Sequence, residues 1–174
     1  MNLQQVTRIG VTIGPGSFAG IRVGVSFARG LALALGVPCV GVGSLEAIAI
    51  PAASQNAKSV MAVLDAKRDH VWALLVDADG KASVPGSEMM PEAATDLVRQ
   101  TGCALIGSGA ALLADLDGSL AAKILSDVAA PAIEDVARLA ARMDPAGNPA
   151  EPRYLRDADA KPQTGFALPH EVVG

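Results

Sequence analysis

The hydrophobic pattern in the first third of the chain alternates between short and long apolar runs. Residues 7–13 form a short apolar run that predicts a β-strand, and residues 20–35 form a run long enough for a helix. A second strand-like run follows at 37–42, and a second helical run at 45–53. The order strand, helix, strand, helix predicts parallel strand pairing in an α/β fold.

The predicted helix at 20–35 is apolar on nearly all sides. Gly36 and Pro38 follow it closely, and this pair is typical of a helix C-terminus. Its polar side chains fall on one narrow stripe, which consists of Arg22, Ser26 and Arg29. A helix on a protein surface normally has a single apolar face. We therefore expect other protein surfaces to cover this helix on two sides.

The pattern changes after the second helix. Ser44 is the expected N-cap of that helix, and Pro51 is expected to kink or end it. Apolar runs at 59–65 and 70–76, with a turn between them and another after them, predict antiparallel strands that lead into a third. Further elements are predicted at 91–100 (a helix with proline at its first position), 103–107 (a strand), 110–114 (a short helix) and 131–143 (an amphipathic helix).

These elements predict a chain of three parts. Residues 1–55 would form the remainder of an N-terminal lobe, and residues 56–145 would form a C-terminal lobe. Proline, glycine and polar residues dominate from residue 144 onward. Such a composition cannot bury much apolar surface, so residues 146–174 are expected to form an extended and partly disordered tail.

Composition narrows the class of protein. Apolar residues make up 51% of the 174-residue chain, aromatic residues only 3%, and the net charge is −4, which argues against a broad surface for nucleic acid or anionic membrane. Cys39 and Cys103 lie in strand-like runs and suit free thiols in a reducing compartment. Neither a signal peptide nor 18 uninterrupted apolar residues occur, so a cytoplasmic protein without a membrane span is expected.

The stretch between the first strand and the first helix is rich in glycine. Such a turn allows close backbone approach, and a helix that opens after it offers free N–H groups to an anion. Glycines at 14 and 16 and Ala19 have the spacing of a dinucleotide fingerprint, but the acidic residue that should end the next strand is missing. A tight structural turn is therefore the favoured interpretation. The residues that would contact a phosphate are Gly14, Gly16, Ser17 and Gly20.

Other catalytic patterns are weak. Ser17 lacks the flanking glycines of a nucleophile elbow, so its hydroxyl is expected to act in the turn or as an N-cap. His70 and His170 are the only histidines, and they do not form a pair at helical spacing. A metal site is therefore not expected. The charged segment 65–70 is interpreted as a solvated hairpin tip, with a contact loop as the alternative.

Two long stretches carry a resemblance to a known family. Residues 14–38, with the sequence GPGSFAGIRVGVSFARGLALALGVP, and residues 41–47, with GVGSLEA, closely resemble the TsaB (YeaZ) family. Residues 65–72 and 152–156 are also similar to that family. TsaB is the non-catalytic subunit of the bacterial machinery that makes threonylcarbamoyladenosine at position 37 of tRNA. The family usually has threonine where this chain has Ala19.

The resemblance implies an actin/Hsp70-like (RNase H-like) α/β fold with two lobes, of which the first is incomplete. Family members begin with a strand, a β-meander and a helix ahead of the segment that opens this chain. The expected explanations are a misassigned gene start, a fragment or a genuinely short protein. Without the missing part, exposed apolar surface should drive self-association.

The resemblance also implies a scaffold function. The helix after the glycine turn would pack against the catalytic subunit TsaD or against a second copy of the chain. The expected partner-binding residues are Ile21, Arg22, Val25, Ser26, Arg29 and Leu33. ATP and metal are expected on the catalytic partner and no cofactor in this chain. A TsaE-like ATPase would join the complex, and tRNA would be contacted only through it.

Two other functions compete with the scaffold. One is a nucleotide-binding enzyme that uses the turn Gly14–Gly20, and micromolar binding of ATP or NAD to the isolated chain would favour it over a pure scaffold. The other is a peptidase, as the older glycoprotease-like (M22) description of the family suggests. No nucleophile elbow, metal pair or triad in the sequence supports a peptidase.

Overall fold

A computed structural model describes residues 3–155 of the chain and shows two β-sheets joined by helices. Short 3₁₀ helices at Leu3–Gln5 and Gly118–Lys123 accompany the main elements. In chain order these elements are β1 (Ile9–Gly14), α1 (Phe18–Leu35), β2 (Cys39–Gly43), α2 (Ser44–Asn56), β3 (Val60–Lys67), β4 (His70–Val76), β5 (Ala82–Met89), α3 (Pro91–Thr101), β6 (Ala104–Ile106), α4 (Ala110–Leu116), β7 (Ile124–Ser126) and α5 (Ile133–Arg142).

The first sheet consists of β1 and β2, which pair in parallel as predicted. Helix α1 packs on one face of β1 and α5 on the other, because successive residues of a strand point to opposite faces. Val11 faces α1 near Gly24, whereas Gly10 faces α5. A Cβ atom at Gly10 would lie 2.5 Å from the Cβ of Ala140, so this close approach of strand and helix requires glycine.

The second sheet has five strands in the order β5-β4-β3-β6-β7. Strands β3, β4 and β5 form the predicted antiparallel meander, while β6 and β7 continue the sheet in parallel with β3. Strand β7 and the 3₁₀ helix at Gly118–Lys123 were not predicted from the sequence. Both are short, and β7 gains its identity only by pairing with β6 at the edge of the sheet.

Helix α2 lies between the two sheets and is buried on both sides. Leu45 and Ile48 pack against β3 and β4, whereas Ala47 joins β2 and α5 in the core of the first sheet. The N-cap prediction was wrong, because Gly43 rather than Ser44 is the N-cap. Of the two effects expected of Pro51, an end of the helix does not occur, since α2 continues to Asn56. Burial on two sides supports the helix beyond the proline.

The chain after α5 returns to the first sheet. The Gly41 N–H donates to the Asn148 carbonyl at 3.0 Å, and the Arg153 N–H donates to the Ile13 carbonyl at 2.7 Å. Residues 146–155, the described part of the predicted tail, therefore pack along β1 and β2; residues 156–174 lie outside the described part. The boundaries at 55 and 145 remain a prediction, and α5 itself packs on the first sheet.

We expect the parallel part of the second sheet to be sensitive to loss of core volume. Leu105 in β6 is fully buried, so Leu105→Ala should lower the free energy of unfolding by about 3 kcal/mol, through lost apolar burial and the cavity left behind. Leu125 in the neighbouring strand β7 is 38% exposed and serves as the matched control, because Leu125→Ala should cost less than about 1 kcal/mol. Urea denaturation of both variants measures the difference; equal losses would contradict the described burial.

Candidate functional site

Helix α1 begins at Phe18, directly after the glycine-rich turn. Ser17 is its N-cap, and the Ser17 Oγ accepts a hydrogen bond from the Gly20 N–H at 3.3 Å. The predicted capping role of this hydroxyl is thus confirmed, and the helix starts two residues earlier than predicted. Gly14 has φ +115°, and a Cβ there would lie 2.6 Å from the Arg153 carbonyl oxygen. This glycine therefore serves the turn and the close approach of the returning chain.

One face of α1 is turned toward the first sheet. Val25, Ala28 and Ala32 are buried there, and Ile21 is half-buried beside them. Within residues 3–155 the chain covers this one face, and cover of the other face by a partner remains a prediction. At the C-terminus, Gly36 adopts φ +66° and ends the helix as predicted.

The opposite face of α1 is apolar and exposed. Val23 is 70% exposed and Phe27 is 72% exposed. The small residues Ala19, Gly30 and Ala34 are exposed near them, and small residues let a second backbone approach closely. We call Ala19, Val23, Phe27, Gly30 and Ala34 the docking face of α1.

The sequence-predicted contact residues lie mostly beside the docking face. Arg22, Ser26, Arg29 and Leu33 are exposed along its edge, with Leu33 at 84%. Ile21 and Val25 belong to the side that faces the sheet. Val23 and Phe27, which are strongly exposed, are not among the contact residues predicted from the sequence. Their four-residue spacing was visible, but an almost uniformly apolar helix does not show which side the sheet covers.

By length and composition α1 also meets the criteria for a membrane-crossing helix, with only 17% of it buried inside the structure. The sequence predicts no span, because it lacks a run of about 18 uninterrupted apolar residues, and in α1 Arg22 and Arg29 interrupt the apolar pattern. Charged residues within a span are costly in a bilayer. One such helix is weak support for a membrane protein, because the core helix of a soluble protein and a signal sequence near the N-terminus pass the same criteria.

A cavity of about 610 Å³ lies where the glycine turn, the β3–β4 hairpin and the returning chain meet. We call it the cleft. Its lining consists of Gly14, Pro15, Gly16, Phe18, Ile21, Arg22, Ala66, Lys67, Arg68, Trp72, Arg153, Tyr154 and Leu155. Of the four predicted turn residues, Gly14 and Gly16 line the cleft, whereas Ser17 and Gly20 do not.

Arg22 lies at the centre of an aromatic cluster on one wall of the cleft. Its Nε donates to the Tyr154 hydroxyl at 2.8 Å, and its guanidinium carbon lies 3.9 Å from the centre of the Phe18 ring. The Phe18 and Tyr154 rings are 5.4 Å apart. The cation over an aromatic face and the hydrogen bond together hold Arg22 in one orientation at the rim.

The β3–β4 hairpin also lines the cleft and has an unusual backbone. Lys67, Arg68 and Asp69 all have positive φ, at 61°, 53° and 59°. Non-glycine residues rarely adopt this conformation, and three in succession indicate a strained turn. The Asp65 side chain accepts from both the backbone N–H and the ammonium of Lys67. The tip of the hairpin, which was predicted to be solvated, therefore also forms part of the cleft lining, because Lys67 and Arg68 border the cavity.

The cleft wall also carries an ion pair that secures the returning chain. The Arg153 guanidinium bonds the Glu46 carboxylate of α2 at 2.8 Å. Because the Arg153 N–H also bonds β1, this residue joins the returning chain to two elements of the first half of the chain. Within residues 3–155 no group of three or more His, Cys, Asp or Glu side chains is placed to hold a metal ion.

Comparisons with known proteins agree with one another. The family model described as TsaD, tRNA N6-adenosine threonylcarbamoyltransferase, matches residues 1–169. The tRNA threonylcarbamoyladenosine biosynthesis protein TsaB of Escherichia coli (strain K12) is 32% identical over 90% of this chain and 73% of its own length. A tRNA N6-adenosine threonylcarbamoyltransferase of Thermosipho africanus is 35% identical over 49% of this chain and 27% of its own length.

The architecture is similar to solved structures as well. A crystal structure from Pseudomonas aeruginosa, described as an uncharacterized protein with similarity to the peptidase YeaZ, has a TM-score of 0.67 and 26% identity. The match covers 89% of this chain and 76% of the chain in that crystal structure. YeaZ from the same organism has a TM-score of 0.64 and 25% identity over 88% of this chain and 76% of its own. These likenesses and the family model fit the expected actin/Hsp70-like fold.

The ion pair between Lys67 and Asp65 predicts how the Asp65 carboxyl titrates. The hydrogen bond from the Lys67 ammonium is the main cause that lowers the pKa of the Asp65 carboxyl below its ordinary value of 3.8. A lowered folded-state pKa stabilises the fold at pH above that ordinary value, and the contribution is lost as the pH falls through the folded-state pKa. Lys67→Met should raise the pKa of Asp65 toward its ordinary value.

NMR titration of the Asp65 carboxyl carbon measures this shift. Lys58→Met removes the same charge outside the hairpin and should leave the Asp65 midpoint unchanged. Equal shifts in the two variants would show that general charge, rather than the Lys67 hydrogen bond, lowers the pKa.

Proposed function

This chain belongs to the TsaB (YeaZ) family of tRNA threonylcarbamoyladenosine biosynthesis proteins, and we propose that it is the non-catalytic subunit that supports a TsaD-like transferase. The proposal places the chain in tRNA modification at adenosine 37. It would hold the transferase in its active arrangement while that subunit transfers the threonylcarbamoyl group. The exposed docking face of α1 is the observation that carries this proposal.

The docking face has the composition of an interface core. Val23 and Phe27 project from it, and aromatic residues dominate binding energy at protein interfaces. Arg22, Ser26 and Arg29 flank it with polar groups on one side, as a rim does. Exposing this face to water costs free energy that a partner helix of similar composition would recover.

The proposal assigns the other components as follows. ATP and metal chemistry belong to the transferase subunit, and a TsaE-like ATPase joins the complex. In the absence of the transferase, two copies of this chain pair through the docking face. The tRNA is contacted only through the assembled complex, and the complex works in the cytoplasm.

Two other functions receive less support. A peptidase would need an activated nucleophile, and the candidate hydroxyl of Ser17 instead accepts the Gly20 N–H as a helix cap. An enzyme that binds nucleotide through the glycine turn would need groups for chemistry beside it. The described cleft supplies cations and aromatic rings, but its lining contains no carboxylate or histidine for acid–base work.

The first experiment measures binding to the purified TsaD-like subunit of the same organism. Phe27→Asp places a charge at the centre of the docking face and should weaken binding at least about thirtyfold, because burying an unpaired carboxylate is costly. Ile133→Asp is the matched control, since Ile133 is 70% exposed on α5, away from α1. Calorimetry of wild type and both variants gives the dissociation constants.

The outcomes separate the alternatives. Tight binding by the wild type and by Ile133→Asp, together with loss in Phe27→Asp, supports docking through α1. A folded wild-type chain that does not bind the transferase would overturn the scaffold proposal.

Self-association provides an independent check of the docking face. Sedimentation of the isolated chain should show a concentration-dependent dimer, and Phe27→Asp should shift it to monomer, because the same apolar surface is buried in either partnership. Val25→Ala, on the face that packs against the sheet, should lower stability without removing the dimer. A dimer that persists in Phe27→Asp would place the self-contact on another surface.

A further inference from the structure

The first sheet has one outer edge that the described chain leaves uncovered. The sheet consists of β1 and β2 alone, so each strand has one neighbour and one outer edge. On β2 the returning chain covers the outer edge, because the Gly41 N–H donates to the Asn148 carbonyl at 3.0 Å. Within residues 3–155 no strand pairs with the outer edge of β1. The backbone groups on this edge are therefore available to another strand.

Two residues of β1 direct their backbone groups away from β2. The Ile9 N–H donates to the Pro38 carbonyl beside β2, at 2.9 Å. Along a paired strand, the backbone groups of successive residues point alternately toward the partner and away from it. Gly10 and Thr12 therefore point their N–H and carbonyl groups outward, and both residues are half-buried. We call these groups the open edge. Backbone groups in a partly buried position favour a partner that can bond them.

Strand β1 has few of the features that usually protect an open edge. Soluble proteins protect such edges with charged side chains, proline, bulges or very short strands. Strand β1 has six residues without a charge or a proline, and its register with β2 shifts only near the end, between Thr12 and Gly14. The edge strands of the second sheet differ, because β5 contains Pro85 and two register shifts, while β7 has three residues. The open edge is thus well suited to strand pairing.

Apolar side chains of α1 border the open edge and connect it to the docking face. A Cβ atom at Gly24 would lie 3.9 Å from the side chain of Val11 in β1. Leu31 and Leu35 follow on the same side of α1 at helical spacing, and both are half-buried. Leu31 also lies one turn after Phe27 of the docking face. The open edge and the docking face therefore belong to one continuous surface.

We propose that a second copy of this chain pairs antiparallel along the open edge, so that the two first sheets join into one continuous sheet. This pairing rests on the self-association proposed above and adds a second contact to it. The edge is complementary to itself. With a twofold axis beside Val11, Gly10 of one copy lies opposite Thr12 of the other, and each such pair exchanges two N–H···O bonds.

The side chains are compatible with this register. Gly10 faces α5 and has no side chain, so it leaves room for Thr12 of the second copy. On the other face the two Val11 side chains meet beneath the α1 helices, as β-branched residues do in cross-strand pairs. The twofold axis is perpendicular to the joined sheet, so the α1 helices of both copies lie on the same face. Their Leu31 sides then approach each other, which places the open edge and the docking face in one interface.

The first test measures amide hydrogen exchange of the full wild-type chain alone, below and above the dissociation constant of the dimer. The Gly10 and Thr12 amides should exchange at least about tenfold more slowly in the dimer, because pairing makes their N–H groups hydrogen-bonded. The Val11 amide, which faces β2, is the internal control and should be protected at both concentrations.

A variant of Thr12 provides the second test. Thr12→Pro removes the outward N–H and places a ring on the open edge, while the ladder between β1 and β2 remains. It should weaken dimerisation at least about tenfold, because each dimer loses two hydrogen bonds. Thr12→Val keeps the N–H and nearly the same shape, and should change the dissociation constant by less than about threefold. Sedimentation gives the constants and circular dichroism verifies folding. If Thr12→Pro folds poorly, the exchange measurement on the wild type decides alone.

The outcomes separate the edge pairing from the proposed docking. Weaker dimerisation of Thr12→Pro, with concentration-dependent protection of the Gly10 and Thr12 amides, supports the pairing whether or not the chain binds the transferase. If Thr12→Pro dimerises like the wild type while Phe27→Asp does not, the docking face alone mediates self-association and the edge pairing is wrong. Equal protection of these amides at both concentrations would assign the open edge to another segment of the same chain. A wild-type chain that stays monomeric overturns the pairing outright.

Discussion

The burial of α2 between the two sheets is the constraint on which the rest of the structure depends. One side of this helix completes the core beneath β3 and β4, and the other side contributes Ala47 to the core of β1, β2 and α5. Because a single rigid element belongs to both cores, the two sheets cannot move independently without exposing apolar surface. The Glu46 carboxylate on the same helix also receives Arg153, which ties the returning chain to this centre. The position of the cleft follows from that arrangement.

Helix α1, unlike α2, is buried on one side only within the described chain. It packs on the first sheet through small and branched residues such as Val25 and Ala28, and it leaves Val23 and Phe27 in water. In the lone chain this exposure is unfavourable, so contact with another apolar surface would stabilise the helix. The proposed role as a supporting subunit would use this surface for contact with the transferase. The docking face and the cleft are adjacent, and Arg22 belongs to the border of both.

Much of the local structure was predictable because its causes are local. The glycine turn, the cap by Ser17 and the end of α1 at Gly36 each depend on residues within a few positions of one another, and the antiparallel meander pairs strands that follow directly in the sequence. The predictions failed where contacts between residues distant in sequence determine the local structure. Pro51 was expected to kink or end α2, but the helix continues to Asn56, because burial on two sides outweighs the missing hydrogen bond. Strand β7 is too short to be recognised without β6 beside it.

The sequence by itself determined the family, the α/β class and a first helix too apolar to remain in water. These properties reside in motif spacing and hydrophobic pattern, which need no knowledge of distant contacts. Only the tertiary structure decided which side of α1 faces the sheet, and so which of its residues remain exposed. Only the tertiary structure brought Phe18, Trp72 and Tyr154 to one cavity, because chain return after α5 places Tyr154 beside the first turn of α1. Positions so distant in sequence share no periodicity, and their meeting depends on how the two sheets pack around α2.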